Sequence, residues 1–376
     1  MNKEMCTESV SHNPTLLKNS ETDKVLMRYL TIIMLFLLYF VPVGAVYTQS
    51  IQSHPSGRDH TGVIGHHIHD RPDSYAPIGV MGNHVHKAGE GMFTYRFMSM
   101  NMRGNLDGAD RISTSDILKD FMVSPTSMKM EMHMIDGMYA PTDNLTLMAM
   151  LPYIRFSMHH INSMGVRFAT RSEGIGDFKV MPLYTFYREG RHSFHFNAGM
   201  SFPTGSIDKK DDTPAGPNQK LPYPMQLGSG TFDLLPGITY LGQTENWSWG
   251  GQPMGTIRLG ENSNHYTLGN RLHLTTWAAR KWTDWFSTSA RLDWQIWRNI
   301  KGDDPDLNPM MVPTADPDRR GGERVDILCG VNLYAAEGKF KGHRLAIESG
   351  WPIYQSLDGP QLETDWKLTV GWQWTF

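Results

Sequence analysis

Trp366-Lys367-Leu368-Thr369-Val370-Gly371-Trp372-Gln373-Trp374-Thr375-Phe376 closes the chain, alternating without a slip between large apolar side chains and small or polar ones. Successive side chains of a strand point to opposite faces. Trp366, Leu368, Val370, Trp372, Trp374 and Phe376 therefore form one apolar stripe, while Lys367, Thr369, Gln373 and Thr375 form a polar one. Strands of outer-membrane barrels have this character, with lipid on one face and a wet lumen on the other.

Working outward, the same period-two alternation predicts strands over roughly 92–103, 128–140, 143–155, 174–188, 190–203, 228–242, 245–258, 268–282, 284–298, 322–335, 342–354 and 364–376. Each is long enough to cross a bilayer at a tilt, which takes about nine to eleven residues. The fold class this implies is all-β, a transmembrane antiparallel β-barrel of about 12 strands. Short connections rich in turn formers, such as Pro141-Thr142-Asp143 and Glu189-Gly190, alternate with long ones at 104–127, 156–173, 204–227, 259–267, 299–321 and 355–363. Outer-membrane barrels show that asymmetry, with short periplasmic turns and longer outside loops. Pro182, Pro236, Pro253 and Pro352 fall inside predicted strands and call for bulges or earlier strand ends.

Only Tyr29 to Val43 approaches a continuous apolar run, with Arg28 before it and Gly44-Ala45 after it. That is the layout of a secretory signal peptide and is short for a spanning helix. The expected organisation is a signal peptide over 1–45 with a start at either Met1 or Met27. An irregular His-rich periplasmic or plug segment over 46–91 and a barrel over 92–376 follow. Cys329 is then the one cysteine of the mature chain, so no intramolecular disulfide forms. A formal charge of -3 with scattered bases gives no reason to expect nucleic acid.

Charge assigns the faces, because Arg or Lys on the lipid face near the midplane costs about 2–4 kcal/mol. The alternation places Arg96, Asp177, Lys179, His195, Asp233, Arg258, Arg271, His273, Arg291, Asp293, Arg324, Asp326, Arg344 and Glu348 in the lumen, with Lys367 beside them. Cys329 faces lipid, and Trp247, Trp282 and Trp285 flank the short turns where an aromatic girdle lies.

Seven of the sixteen histidines lie between Val46 and Gly91. His66, His67 and His69, with His84 and His86, have the spacing of a shared borderline ion such as copper or zinc. The competing reading is a disordered periplasmic or plug-like leader whose histidines bind nothing specific, or a segment that hydrogen-bonds to the barrel mouth. Methionines alternate at Met98, Met100 and Met102, at Met128, Met130, Met132 and Met134, and at Met148 and Met150. Phe93, Tyr95 and Phe97 turn the first set inward, whereas Lys129, Glu131 and His133 push the second set toward lipid. On that reading they form no single ladder and serve as flexible apolar filler. Aspartates in 204–227 and 299–321 read as solvated loop residues. No compact Ser and His signature supports a hydrolase, so the expectation is a protein that is not an enzyme.

Ser172-Glu173-Gly174-Ile175-Gly176-Asp177 and Gly199-Met200-Ser201-Phe202-Pro203-Thr204-Gly205 carry a resemblance to the bacterial outer-membrane family associated with meta-pathway phenol degradation. The resemblance implies a transporter in the outer membrane of a Gram-negative bacterium, linked to uptake of aromatic or hydrophobic compounds. Trp372, Trp374 and Phe376 resemble the C-terminal signal through which outer-membrane assembly machinery takes its clients. The expected partners are that machinery, outer-membrane lipids and lipopolysaccharide, and a small-molecule or metal solute. The expected function is a channel or transporter for hydrophobic or aromatic compounds or for a metal such as copper. A structural or assembly barrel with a filled lumen and an outer-membrane lipid hydrolase are the alternatives.

Overall fold

The computed structural model describes residues 71–376. The signal peptide and the histidines before position 71, including His66, His67 and His69, lie outside the described residues. In chain order the elements are β1 (Gly91–Gly108), β2 (Asp110–Ile112), α1 (Thr114–Asp120), β3 (Val123–Thr142), β4 (Leu145–Asn162), β5 (Arg167–Ile175) and β6 (Phe178–Glu189). They continue with β7 (His192–Phe202), β8 (Lys210–Thr213), β9 (Gly216–Lys220), β10 (Phe232–Gln243), β11 (Trp247–Leu259) and β12 (Tyr266–Thr267). The last five are β13 (Arg271–Lys281), β14 (Phe286–Trp297), β15 (Lys301–Gly302), β16 (Gly322–Tyr334) and β17 (His343–Thr375).

Eleven strands form a closed antiparallel wall in the order β17-β16-β14-β13-β11-β10-β7-β6-β4-β3-β1, and β1 pairs back onto β17. β2 and β5 extend the sheet outside that ring. At the seam, Gly91 and Phe376 exchange two backbone hydrogen bonds of 2.9 Å. β17 is 33 residues long and makes two passes. Its first part pairs with β16 from Arg344 to Leu357, its second with β1 up to Thr375. Thr375 N donates to Gly342 O at 3.0 Å, which ties the two arms at their open end. The expected loop 355–363 is therefore continuous strand.

The prolines disturb the ladders locally. A bulge between Val325 and Asp326 accommodates Pro352, and the β10–β11 ladder skips from Leu234 to Gly237 beside Pro236 and Pro253. Missing amide donors are thus absorbed by one-sided gaps.

Tyr139, Leu147, Phe186, Ile238, Trp351 and Ile353 are among the large apolar side chains exposed on the outer surface. Each such side chain gains about 1.5–3 kcal/mol on leaving water. A belt of them is stable only against an apolar surrounding. Trp282 and Trp285 stand exposed beside the short turn before Phe286, and the Arg280 guanidinium lies 4.0 Å from the Trp282 ring centroid. Among the described residues no helix is long and apolar enough to cross a membrane.

Two further expectations need correction. The connection 156–173 is strand, because β4 runs on to Asn162 and β5 returns beside it, with His160 buried in the pair. The methionines of β3 do not face lipid. Met128 and Met134 are buried, and Ile135 and Tyr139 are exposed. Lys129 and Glu131 misled the assignment because they pair with each other at 2.6 Å on the outer surface, opposite the Arg155–Glu173 pair at 2.8 Å. β3 is 20 residues long, roughly twice what the hydrocarbon core requires, so these charges sit where the lipid-face penalty no longer applies.

Candidate functional site

The lumen is divided by its own N-terminal segment. Residues 71–90 have no strand structure and run inside the half of the barrel that carries the short turns. Polar side chains of the wall bind their backbone from every side. Ser287 Oγ donates to Pro72 O at 2.9 Å and Arg344 donates to Ala76 O at 2.9 Å. Gly79 N donates to the Glu348 carboxylate at 3.0 Å. His195 and Asn197 from β7 and Gln252 from β11 all donate to Gly82 O, at 3.0, 2.7 and 3.2 Å. Gly82 adopts a left-handed φ of 58°, and a Cβ there would meet Asn197 Nδ2 and Met181 Sδ at 2.9 Å. Further on, His86 N donates to Thr146 Oγ1 at 2.9 Å.

Above this floor lies a chamber of about 660 Å³ with two unlike walls. One is thioether. Even-numbered residues of β1, β3 and β4 point inward, and the register sets Met98 opposite Met132, Met100 opposite Met130, Met102 opposite Met128, and Met128 opposite Met158. The other wall is charged. Arg291 makes a bidentate pair with Glu348 at 2.8 and 3.0 Å. Lys367 reaches Asp326 at 2.5 Å and Asp293 at 3.3 Å, and Asp293 also bonds His273. Arg324 meets Asp326 at 3.1 Å, and Arg258 pairs with Asp233. On the methionine side Arg96 is held by Asp136 at 2.6 Å. Nine arginines and lysines, including Lys179 and Arg271, line the chamber against Asp177, Asp233 and Asp293, with Asp136, Asp326 and Glu348 bonded to them from behind. Thus Arg96, Asp177, Lys179, Asp233, Arg258, Arg271, His273, Arg291, Asp293 and Arg324 border the chamber, whereas His195, Arg344 and Glu348 grip the N-terminal segment and Asp326 backs the charged wall.

The roof comes from the long connections. Leu221, Tyr223, Met225 and Leu227 are buried, and Tyr223 accepts from Asp304 N at 3.0 Å, joining the 203–231 and 303–321 connections. Lys220 adds ion pairs to Asp304 at 2.7 Å and Asp208 at 3.2 Å. The two motifs that carry the family resemblance meet here. Asp177 accepts from Gly205 N at 3.0 Å, Ser229 N at 2.8 Å and Ser229 Oγ at 2.9 Å, and Thr204 Oγ1 donates to Gly176 O at 2.8 Å. A Cβ on Gly205 would stand 2.7 Å from the Gly228 backbone. The signature is therefore a clasp that folds the 203–231 connection over the mouth.

His84 and His86 come together, with their Nε2 atoms 3.2 Å apart. Among the described residues no three His, Cys, Asp or Glu side chains converge to hold a metal. Trp374 and Phe376 are exposed at the seam, and Trp372 donates to His343 Nδ1 at 3.0 Å. The inward face of β3 was missed from sequence, and for the N-terminal segment sequence offered a periplasmic or a plug placement without deciding between them. The repeated Met-x-Met spacing was the available signal for the first.

Residues 128–305 match the family model described as "Putative MetA-pathway of phenol degradation". The barrel is similar to a solved outer membrane channel from Pseudomonas putida F1, with a TM-score of 0.55 at 12% identity over 79% of this chain and 99% of that one. A Pseudomonas aeruginosa FadL homologue is more distant, with a TM-score of 0.38 at 11% identity over 76% and 89% of the two chains. A KdgM porin is similarly remote, at 0.35 and 12% over 76% and 99%. No curated protein matches the sequence.

Proposed function

Taking the chain as an outer-membrane β-barrel that resembles the phenol-degradation family, we propose that it is a channel for small aromatic solutes carrying a negative group, closed by residues 71–90. The observation that carries this reading is the chamber between that segment and the roof, thioether on one side and predominantly cationic on the other. Methionine suits an aromatic body, since sulfur–aromatic contacts contribute about 0.3–1.5 kcal/mol and the side chain adapts to shape. The excess of positive charge concentrates anions and repels cations. The family description supports aromatic compounds as the solute class.

The N-terminal segment is the gate in this account. Polar bonds to its backbone hold it in register, and Tyr75, Ala76, Ile78, Val80 and Val85 are buried against the wall. Proteoliposomes containing a variant that lacks residues 71–86 test the reading. Benzoate is expected to enter several-fold faster than benzylammonium, which matches its ring but not its charge. Equal rates for the two ions would overturn the proposal.

A further inference from the structure

We infer that the methionine wall is a binding track for a soft monovalent cation, Cu(I) or Ag(I), running along the lumen from the roof to the N-terminal segment. For binding it rests on the ladder alone.

The geometry is a ladder of three rungs. Met98–Met132, Met100–Met130 and Met102–Met128 are cross-strand partners on one face of adjacent strands. Directly opposite side chains have Cβ atoms about 4.5–5.5 Å apart. Successive rungs follow at about 6.6–6.8 Å along the strand. Each rung thus offers two thioethers to one ion, and the next lies within reach of their flexible arms.

The ladder continues at both ends. Toward the roof, Met128 and Met158 pack with Met225 of the 203–231 connection. Toward the short turns, Met98 and Met132 pack in one cluster with Met134, Met150, Met148 and Val85. Val85 belongs to the N-terminal segment, so the sulfur path ends against that segment.

The donor chemistry selects the ion. Thioethers bind Cu(I) and Ag(I) and hold hard or borderline cations poorly. Among the described residues no triad of His, Cys, Asp and Glu offers the usual ligand set for Zn(II). The charged wall sharpens this choice. It repels free cations, so an ion on the methionine wall is held by sulfur bonding and not by electrostatic attraction. Plain packing filler would not need sulfur at facing positions of three successive rungs, because leucine has similar bulk and fills the same space.

The test uses the full chain in detergent micelles, in chloride-free buffer, with Ag(I) as a redox-stable probe and Cu(I) competed against bicinchoninate. Carbon-13 labelling of the methionine methyls follows the ladder directly. Ag(I) is expected to shift ladder methyl resonances, whereas Zn(II) does not. Replacing Met98, Met100, Met130 and Met132 together by Leu keeps the apolar volume and is expected to weaken Ag(I) binding at least 10-fold. Should the fourfold variant not fold, the pair Met100→Leu/Met130→Leu is read in the same way, with an expected loss of several-fold. Binding in the Leu variant within threefold of the original, or ladder methyls that do not move, would overturn the inference. The two readings fail separately. A barrel that admits benzoate but leaves the methyls unmoved refutes the soft-ion track alone, and one that binds Ag(I) but admits no solute refutes the channel.

Discussion

Replacing Asp177 by Ala should unfasten the roof without unfolding the barrel. The carboxylate accepts three hydrogen bonds, from Gly205 N, Ser229 N and Ser229 Oγ, at 2.8–3.0 Å. Hydrogen bonds to a charged acceptor contribute about 1.5–3 kcal/mol each, and about 1 kcal/mol is the fair figure here because the side chain is half-buried and water can replace part of the loss. The sum is about 3 kcal/mol, which raises the local opening equilibrium about 100-fold. The assay is amide hydrogen exchange in detergent micelles. Gly205 and Ser229 should exchange about 100-fold faster, while the seam amides of Gly91 and Phe376 keep their protection. Acceleration of the Gly205 and Ser229 amides below about fivefold, or equal loss of protection at the seam, would refute the clasp.

Glu348→Ala leaves the buried Arg291 guanidinium without its bidentate partner and frees Gly79 N. Breaking a buried pair in this way costs about 3–5 kcal/mol, so a clearly lower thermal unfolding temperature is expected, and an unchanged one would contradict the pairing. Gly82→Ala forces a left-handed alanine against Asn197 and Met181 and should loosen the N-terminal segment, read as faster protease cleavage near residue 82. Unchanged cleavage would argue against the grip on Gly82 O. The tie between the long connections depends on pH through Asp208. The Asn264 hydrogen bond, then Lys220, holds its carboxyl below the ordinary value of 3.8. Its folded value being depressed, the contribution is fully present above 3.8 and is lost as pH falls through the lower folded value. Exchange in the 203–231 connection should therefore be flat from pH 7 to 5, after correction for intrinsic rates, and rise only below 4.

Much of this architecture was legible because a barrel wall writes itself in period two. β14 alternates Ala290, Leu292, Trp294 and Ile296 with Ser289, Arg291, Asp293 and Gln295, and charges inside the hydrocarbon span have one affordable side. The same rule failed on β3. There the charged residues Lys129 and Glu131 rise beyond the bilayer, so they carry no information about facing, and the apolar Ile135 and Tyr139 lower down would have decided it. The connection 355–363 was hidden because a hairpin that keeps its ladder to the tip has turn residues, Asp358-Gly359-Pro360, yet no loop. A plug was one of two placements read for the N-terminal segment, but its straps were not legible, since they run from backbone atoms of 72–88 to side chains far away in sequence and no local pattern records them. For the clasp, sequence showed two motifs but not that Asp177 and Gly205 touch.

Single-channel recording in planar bilayers tests the central claim most directly, that a membrane-spanning barrel is closed by its own N-terminal segment. The full chain is expected to show rare, small openings, and the variant lacking residues 71–86 steady steps of uniform size with anion selectivity in a salt gradient. Equal conductance with and without that segment, or a cation-selective pore, would contradict the account.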